Sequence, residues 1–280
     1  MKILVLGSSG QIGSHLCKYL ESINETVERF DIVDSLNFDL RIQNNELLNS
    51  ALSKSDFVYF LAFDVGGARY LANNQDSSKF IGNNMKIMSN TFEALSNHNK
   101  PFVFASSQMS YMSDSSYGSL KRLGEKMTLD LGGVVTRFWN VYGLENDLTK
   151  SHVITDLVRC GLNTGKIHVM TDGKEVRQFL YADDCSKCLY EVSKEYNKFS
   201  RNSLDVSSFA WTSISEVAHI IAENLDITDL NFGNFKDGLQ TLDPIDPCKT
   251  ILDFWHPETS LELGISKIIE YERKNVHTGG

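Results

Sequence analysis

A tyrosine and a lysine lie four residues apart near the middle of the chain, in the segment YGSLK. This spacing places Tyr117 and Lys121 on the same face of a helix, one turn apart. A lysine so close stabilises a phenolate and lowers the pKa of the tyrosine. Ser107 ends the preceding run FVFASS, where its hydroxyl group could bond to the same substrate oxygen. These three side chains predict a site at which Tyr117 removes a proton from a hydroxyl group.

The segment GSSGQIG, from Gly7 to Gly13, lies between an apolar strand pattern and an amphipathic helix pattern. Glycines there permit a tight turn and let the backbone approach a pyrophosphate at the N-terminus of the helix. Asp31 ends the second predicted strand, where a carboxylate can bind the ribose hydroxyls of a dinucleotide. Because a carboxylate repels a 2′-phosphate, Asp31 predicts NAD rather than NADP, and Asp34 adds to that preference. Asp39 could reach the adenine or could cap the following helix.

Short apolar runs alternate with helical patterns through the first half of the chain. The runs predict strands at residues 2–6, 26–30, 57–62, 102–105 and 134–140, and the helical patterns fall at residues 12–23, 83–95 and 117–131. Such alternation is typical of βαβ units. We therefore expect an α/β fold with a doubly wound parallel sheet of the Rossmann type.

The pattern loosens in the second half of the chain. It predicts helices at residues 151–161, 184–196 and 213–225 and a strand at residues 166–170, and Ser213 and Glu216 have the spacing of a capping box. We expect a Rossmann domain at residues 1–145 and a smaller C-terminal substrate-binding domain at residues 146–280. The segment near residues 176–208 is expected to pack back on the first domain.

The composition limits the classes of partner. The formal net charge is −9 and the isoelectric point is near 5.3, so no basic surface is expected for nucleic acid or for a membrane. The chain opens on KILVLG without a charged leader or a membrane-spanning apolar stretch, and we expect a cytoplasmic protein. Cys185 and Cys188 lack a second pair to complete a zinc site, so we expect two small buried residues and no metal.

Several motifs occur in an order that resembles the extended short-chain dehydrogenase/reductase family, in particular its nucleotide-sugar epimerases, dehydratases and reductases. They are GSSGQIG, DFVYFLA, the helix with Asn84, the set of Ser107, Tyr117 and Lys121, RFWNVYG and VRQFLYADD. The resemblance implies a nucleotide-diphosphate sugar as the substrate and a homodimer formed through the helices around Asn84 and Tyr117. It implies an NAD site that contains Gly7, Gly10, Gln11, Ile12, Gly13, Asp31, Asp39, Leu40, Leu61, Ala62, Asn84 and Lys121.

The resemblance also implies three contacts to the substrate. Asn140 would bind the sugar diphosphate, although it could also be a turn residue. Arg177 would hold a phosphate or ribose of the nucleotide by bidentate bonding, although it could also lie in a surface ion pair. Gln108, which follows the expected catalytic serine, is the third of these residues.

Two further segments, LAFDVGGARYL and SHVITDL, resemble the branch of the family that contains GDP-fucose synthase and GDP-mannose 3,5-epimerase. In that branch the VGG loop lies beside the sugar. The histidine of the second segment, here His152, acts there as an acid or base at ring carbons next to a keto group. An unperturbed histidine titrates near neutrality, which suits such work. His152 could instead cap its helix or contact a phosphate.

Two departures from the family pattern narrow the chemistry. Gln108 and Met109 stand where the fucose-synthase branch has a cysteine, so the residues for fucose-synthase chemistry are incomplete. The 4,6-dehydratases have an Asp-Glu pair at the same place, so dehydration is disfavoured. We expect an NAD-dependent epimerase that oxidises the sugar, inverts C4 or a neighbouring carbon and reduces the sugar again. An NAD(P)H-dependent 4-keto-sugar reductase is the first alternative, and a non-catalytic dinucleotide sensor is the second.

Overall fold

The computed structural model describes residues 1–112, 114–145, 147–235 and 245–276. The strands in these ranges are β1 (Lys2–Leu6), β2 (Thr26–Phe30), β3 (Phe57–Phe60), β4 (Phe102–Ser107), β5 (Val134–Phe138), β6 (Asn140–Tyr142), β7 (Ile167–Thr171), β8 (Val176–Arg177), β9 (Phe179–Tyr181), β10 (Ser203–Val206), β11 (Thr212–Ser213) and β12 (Leu230–Phe235). The α-helices there are α1 (Gln11–Ser22), α2 (Glu46–Lys54), α3 (Ala68–Asn74), α4 (Ser78–His98), α5 (Ser116–Asp130), α6 (Val153–Thr164), α7 (Ala182–Lys194), α8 (Tyr196–Phe199), α9 (Ile214–Leu225) and α10 (Leu261–Val276).

The main sheet has the strand order β2–β1–β3–β4–β5–β10 within the described residues, and all of its pairings are parallel. The chain passes from β1 to β2 on one side and then to β3 on the other, so the direction of winding reverses between β1 and β3. In such sheets, ligands bind beyond the carboxyl ends of the strands at this switch point. The predicted α/β fold with a doubly wound parallel sheet is confirmed.

Helices cover both faces of the main sheet, as the burial of its strands on both faces requires. On one face, α1 and α7 pack through residues such as Leu16, Cys188 and Leu189, which are all 0% exposed. On the other face, α2, α4 and α5 contribute Phe92 and Leu120 among others to a second core. Burial of each leucine or phenylalanine side chain in these cores contributes roughly 1.5–3 kcal/mol. These two cores hold the carboxyl edge of the sheet in place.

A third core lies in the C-terminal half, where α6, α9 and α10 pack around β7 and β9. Strand β10, from within the segment 176–208, returns to the main sheet, where Leu204 pairs with Thr136 of β5. The division into domains at residues 1–145 and 146–280 stays a prediction. Residues 146, 236–244 and 277–280 of the second predicted domain lie outside the described residues.

The predicted single strand at residues 134–140 is wrong, because the chain changes partners at Trp139. The Trp139 N–H donates to Val206 O in the main sheet at 3.2 Å, whereas the Asn140 N–H donates to Gln178 O at 3.1 Å. The strand therefore divides into β5 and β6, and β6 pairs with β9. The predicted capping box before α9 is confirmed: its serine and glutamate side chains each accept the other residue's backbone N–H.

Candidate active site

The loop after β1, here called the glycine loop (residues 7–13), is closed by contacts that leave no room for side chains. A Cβ on Gly7 would lie 2.6 Å from Ala62 N, and a Cβ on Gly13 would lie 2.0 Å from Gly7 O. Gly7 also has a φ of +86°, which favours glycine. The N-terminus of α1 has no side-chain cap, so its N–H groups remain available to an anion. This geometry fits a pyrophosphate.

Two further observations support a dinucleotide at the glycine loop. Among the described residues, the buried Ser8 Oγ and Gln11 Nε2 have no hydrogen-bond partner, as expected of groups that await a ligand. Asp31 lies beside the loop, where its carboxylate accepts the N–H groups of Ser9 and Val33 at 3.0 Å. The Ser9 hydroxyl donates to Asp34 at 2.9 Å. Two carboxylates therefore border the position expected for the adenosine ribose.

Asp39 and Leu40 make contacts within the protein that the sequence does not predict. The Asp39 carboxylate pairs with Arg41 at 2.8 Å, and this ion pair lowers the pKa of Asp39. The alternative that Asp39 caps α2 is wrong, because the Asn45 side chain accepts the first N–H groups of that helix. The Leu40 side chain is 5% exposed and lies in the core, so only its backbone is available to a ligand.

The structure brings Ser107, Tyr117 and Lys121 together at the carboxyl end of β4. Ser115 caps α5, so Tyr117 lies in the first turn of the helix and Lys121 lies in the next. Lys121 Nζ donates to Ala105 O at 2.7 Å and lies 5.7 Å from the centroid of the Tyr117 ring. Both side chains are buried, at 8% exposed for Tyr117 and 3% for Lys121.

Burial shifts the pKa of both groups so that the neutral form of each is favoured. It raises the pKa of Tyr117 to about 12, although the hydrogen bond with Ser107 acts in the opposite sense. It lowers the pKa of Lys121 to about 7, and the charge of Glu125 acts in the opposite sense. The ring of Phe63, centred 3.8 Å from Lys121 Nζ, favours the charged form of the lysine.

Asn84 does not face a ligand with its amide group, because both amide atoms bond to the loop after β3, here called the β3 loop (residues 61–67). Asn84 Oδ1 accepts the Asp64 N–H at 2.7 Å, and its Nδ2 donates to Asp64 O at 3.1 Å. The Asp64 carboxylate in turn accepts hydrogen bonds from Tyr70 Oη at 2.7 Å and Lys150 Nζ at 3.1 Å. Asn84 therefore fixes the β3 loop, which contains Leu61 and Ala62.

The β3 loop also touches the segment that carries His152. The Gly67 N–H donates to Lys150 O at 2.9 Å, and a Cβ on Gly67 would lie 2.2 Å from Ser151 O. His152 is the N-cap residue of α6, so the helix begins two residues later than predicted. The alternative that the His152 side chain caps this helix is wrong, because it makes no capping hydrogen bond. Its Nδ1 lies 2.5 Å from Glu145 Oε1 instead.

The three predicted substrate contacts lie in the 3₁₀ turn after β4, at the start of β6 and on β8. Gln108 Nε2 donates to Asn140 Oδ1 at 3.2 Å, which joins two of them. Asn140 begins β6, so its alternative as a turn residue is wrong. Arg177 is 8% exposed and therefore not a surface residue, and one of its guanidinium N–H groups donates to Val176 O at 2.7 Å.

The two cysteines of α7 lie in the protein core. Cys185 and Cys188 are both 0% exposed, as predicted, and burial raises the pKa of each thiol. The residues that the structure describes contain no group of three or more His, Cys, Asp or Glu side chains that could hold a metal ion. In the same ranges, no helix has the length and hydropathy that crossing a membrane requires.

Sequence reasoning did not identify Asp64, Lys150 and Glu145. The first two form an ion pair between residues 86 positions apart, and no local pattern signals such a contact. Glu145 lies seven residues before His152, with a 3₁₀ turn at Leu148–Lys150 between them. Only the two acidic residues in YGLEND, close before SHVI, could have drawn attention to it.

The parallel sheet has its switch point at a glycine loop, and a buried tyrosine and lysine lie at the carboxyl end of β4. Together these features define an NAD-dependent enzyme of the short-chain dehydrogenase type. Residues 3–204 match the model of the NAD dependent epimerase/dehydratase family. The chain belongs to this family. The resemblance inferred from its motifs and the expectation of NAD as cofactor are both confirmed.

Similar proteins include several enzymes of sugar nucleotides. A GDP-L-fucose synthase of Sinorhizobium fredii is 30% identical over 145 residues, which cover 49% of this chain and 46% of that protein. An uncharacterized UDP-glucose epimerase of Bacillus subtilis is 26% identical over 97% of this chain and 98% of its own length. A crystal structure of a UDP-glucose 4-epimerase with UDP-glucose, from Thermotoga maritima, has a TM-score of 0.84 at 20% identity and covers 99% of this chain and 100% of that one.

Proposed function

We propose that this chain is an epimerase of a nucleotide-diphosphate sugar and acts through a transient keto sugar. The observation that carries the proposal is the position of the β3 loop. Its Phe63 ring lies against Lys121 Nζ, and its Gly67 lies against the segment that carries His152. A group suited to remove a hydroxyl proton and a group suited to move a carbon-bound proton therefore border one loop. The relatives named for UDP-glucose and GDP-L-fucose support the class of substrate.

Three side chains perform the oxidation half of the reaction. NAD, when bound, supplies the acceptor and donor of the hydride. Tyr117 Oη takes the proton of the sugar hydroxyl, and the Ser107 hydroxyl donates a hydrogen bond to the same oxygen. Because burial raises the pKa of Tyr117 to about 12, its phenolate needs a positive charge nearby, and the protonated form of Lys121 supplies that charge.

The NAD site is the set of residues proposed from the sequence, with two of them acting indirectly. The glycine loop and the N-terminus of α1 hold the pyrophosphate, and Asp31 holds the ribose hydroxyls. Asn84 contributes by fixing the backbone of Asp64, and Leu40 contributes only its own backbone. Ala62 closes the site against Gly7.

The sugar nucleotide lies between the two predicted domains in this proposal. The Gln108–Asn140 amide pair faces the sugar diphosphate, and Arg177 holds a nucleotide phosphate or ribose. The protein is a homodimer through α4 and α5, on which Met85 and Leu123 are 51% and 46% exposed. Sedimentation of the purified protein tests this last point, since a monomer at all concentrations contradicts it.

The experiment that tests the function uses UDP-glucose and GDP-mannose as probes, with a catalytic amount of NAD in deuterated water. We expect NMR to show conversion of one probe to an epimer with no net formation of NADH. Deuterium on the inverted carbon indicates proton exchange beside a ketone, and its absence indicates inversion at C4. Stoichiometric use of a reduced cofactor on a keto-sugar substrate would instead identify a reductase.

Cofactor preference provides a second test. Because Asp31 and Asp34 border the ribose position, their charges disfavour a 2′-phosphate, and NAD should bind at least about tenfold more tightly than NADP. Titration of both cofactors, with Asp31→Ala expected to narrow the gap, measures this preference. Equal or tighter binding of NADP by the unaltered protein would favour the reductase.

A further inference from the structure

Glu145 and His152 make two contacts that fix the imidazole. Glu145 Oε1 lies 2.5 Å from His152 Nδ1, and Glu145 Oε2 accepts the His152 backbone N–H at 3.0 Å. One carboxylate therefore binds both the ring and the backbone of the same residue. This arrangement restricts rotation of the ring about its side-chain bonds, so the ring keeps one orientation relative to α6.

The charge of Glu145 decides which ring nitrogen carries the proton. Its side chain is 5% exposed, and burial alone would raise its pKa, but the hydrogen bonds from His152 and Thr155 hold the pKa below the ordinary value. An ionised carboxylate can only accept hydrogen bonds. The hydrogen of the neutral imidazole therefore lies on Nδ1, and Nε2 keeps its lone pair.

A second histidine in the chain shows what a purely structural pair looks like. His15 Nδ1 lies 2.6 Å from Asp183 Oδ1, and its Nε2 accepts the Leu144 N–H at 3.1 Å, so both of its nitrogens are used. The His15 side chain is 4% exposed. The His152 side chain is 39% exposed, and within the described residues no protein group bonds to its Nε2. Each ring has a carboxylate beside its Nδ1, but Nε2 accepts a hydrogen bond from the described residues only in His15.

We propose that Glu145 is a positioning residue for His152: it holds the imidazole in the tautomer that presents Nε2 as an unprotonated base. The reaction that His152 carries out rests on the proposed function, whereas the tautomer that Glu145 selects does not. The same contact stabilises the imidazolium that forms when Nε2 accepts a proton, because the carboxylate faces it at Nδ1.

The first test measures the tautomer and needs no substrate. In the full-length protein labelled with ¹⁵N-histidine, we expect His152 to show a protonated Nδ1 and an unprotonated Nε2, as His15 does; the variant His152→Asn assigns the signals. In Glu145→Ala the preference for Nδ1 should be lost. The matched control Asp183→Asn should change the signals of His15 and leave those of His152 in place.

Two results would overturn the inference. The first is a proton on Nε2 of His152 in the unaltered protein, and the second is an unchanged tautomer in Glu145→Ala. Should Glu145→Ala fail to fold, Glu145→Gln carries the test. Its amide offers one acceptor oxygen for two N–H donors, so we expect a mixture of tautomers, and a ring that keeps its proton wholly on Nδ1 contradicts the inference.

The second test separates this inference from the proposed function. If UDP-glucose or GDP-mannose incorporates deuterium, Glu145→Ala should slow that exchange about 10- to 100-fold, the range typical of carboxylates that orient histidines in metal sites. Hydride transfer, measured by cofactor absorbance, should change much less. If the unaltered protein exchanges neither probe, the role of His152 in the proposed function fails, while the tautomer measurement still decides the role of Glu145.

Discussion

The two regions to which we assign proton transfer are built differently. Tyr117 and Lys121 are buried on α5, against the main sheet, where desolvation shifts the pKa of both groups. His152 is 39% exposed, and it lies at the N-cap of α6 beside loops rather than in a core. A phenol needs a large electrostatic perturbation before it acts as a base near neutral pH, whereas an imidazole needs only orientation. Burial acts against the first requirement, because it raises the pKa of Tyr117 to about 12, so the positive charge of Lys121 must provide it. In our proposal a single carboxylate, Glu145, provides the second.

The largest effect is expected at the buried region, from Tyr117→Phe. This change removes the phenolic oxygen but keeps the ring, so turnover should fall about 10²- to 10⁴-fold while NAD binding survives. Steady-state assays on a converted probe, together with NAD titration, measure both quantities. Near-full turnover in this variant would show that the buried region is not the site of proton removal.

A second large effect is expected at the glycine loop, from Gly13→Ala. The added Cβ would lie 2.0 Å from Gly7 O, and this backbone atom cannot move without opening the loop. We expect NAD to bind about 10- to 100-fold more weakly, which corresponds to roughly 1.4–2.8 kcal/mol. Gly82→Ala on α4 is the matched control, since its Cβ would meet nothing within 4 Å. Equal NAD affinity in both variants would contradict the assignment of the loop.

The burial of Lys121 predicts a dependence of stability on pH. Its pKa falls from an ordinary value of 10.5 to about 7 in the folded protein, so between these values the unfolded chain binds more protons than the folded chain. Stability should therefore rise with pH across this window because of Lys121, by up to about 1.4 kcal/mol per pH unit. Urea unfolding of the cofactor-free protein at pH 7–10 measures it. In Lys121→Met this rise should be smaller, and an identical slope would show that the lysine is not desolvated.

The buried region was largely predictable from the sequence, because local rules determine it. Helical periodicity places Tyr117 next to Lys121, and an apolar run ending in a serine places Ser107 at the edge of the sheet. The division of the strand at Trp139 was not predictable. The apolar pattern continues through it, and only the presence of β9 makes the chain change partners.

The region of His152 was less predictable, since it depends on contacts between loops. Asp64 and Lys150 meet across 86 residues, and Glu145 reaches His152 through an intervening turn. Such contacts are set by how the third core packs against the main sheet, which no local pattern encodes. A resemblance could suggest His152 itself, because SHVI is a contiguous motif, but it could not suggest the carboxylate that orients it.

The smallest effect is expected from a surface ion pair between the two regions. Arg69 of α3 pairs with Asp156 of α6 at 2.7 Å, but their side chains are 62% and 31% exposed. Solvent screens such a pair, and the side chains lose entropy on forming it, so Arg69→Gln should lower the free energy of unfolding by less than about 1 kcal/mol. Urea unfolding of both proteins at low and high salt measures the change, which should shrink further at high salt.

The more buried pair of Lys150 and Asp64 is the matched comparison, and Lys150→Gln should lower the free energy of unfolding more than Arg69→Gln does. If Arg69→Gln costs more than about 2 kcal/mol, or if its effect exceeds that of Lys150→Gln, the surface contact and not the β3 loop joins the two regions.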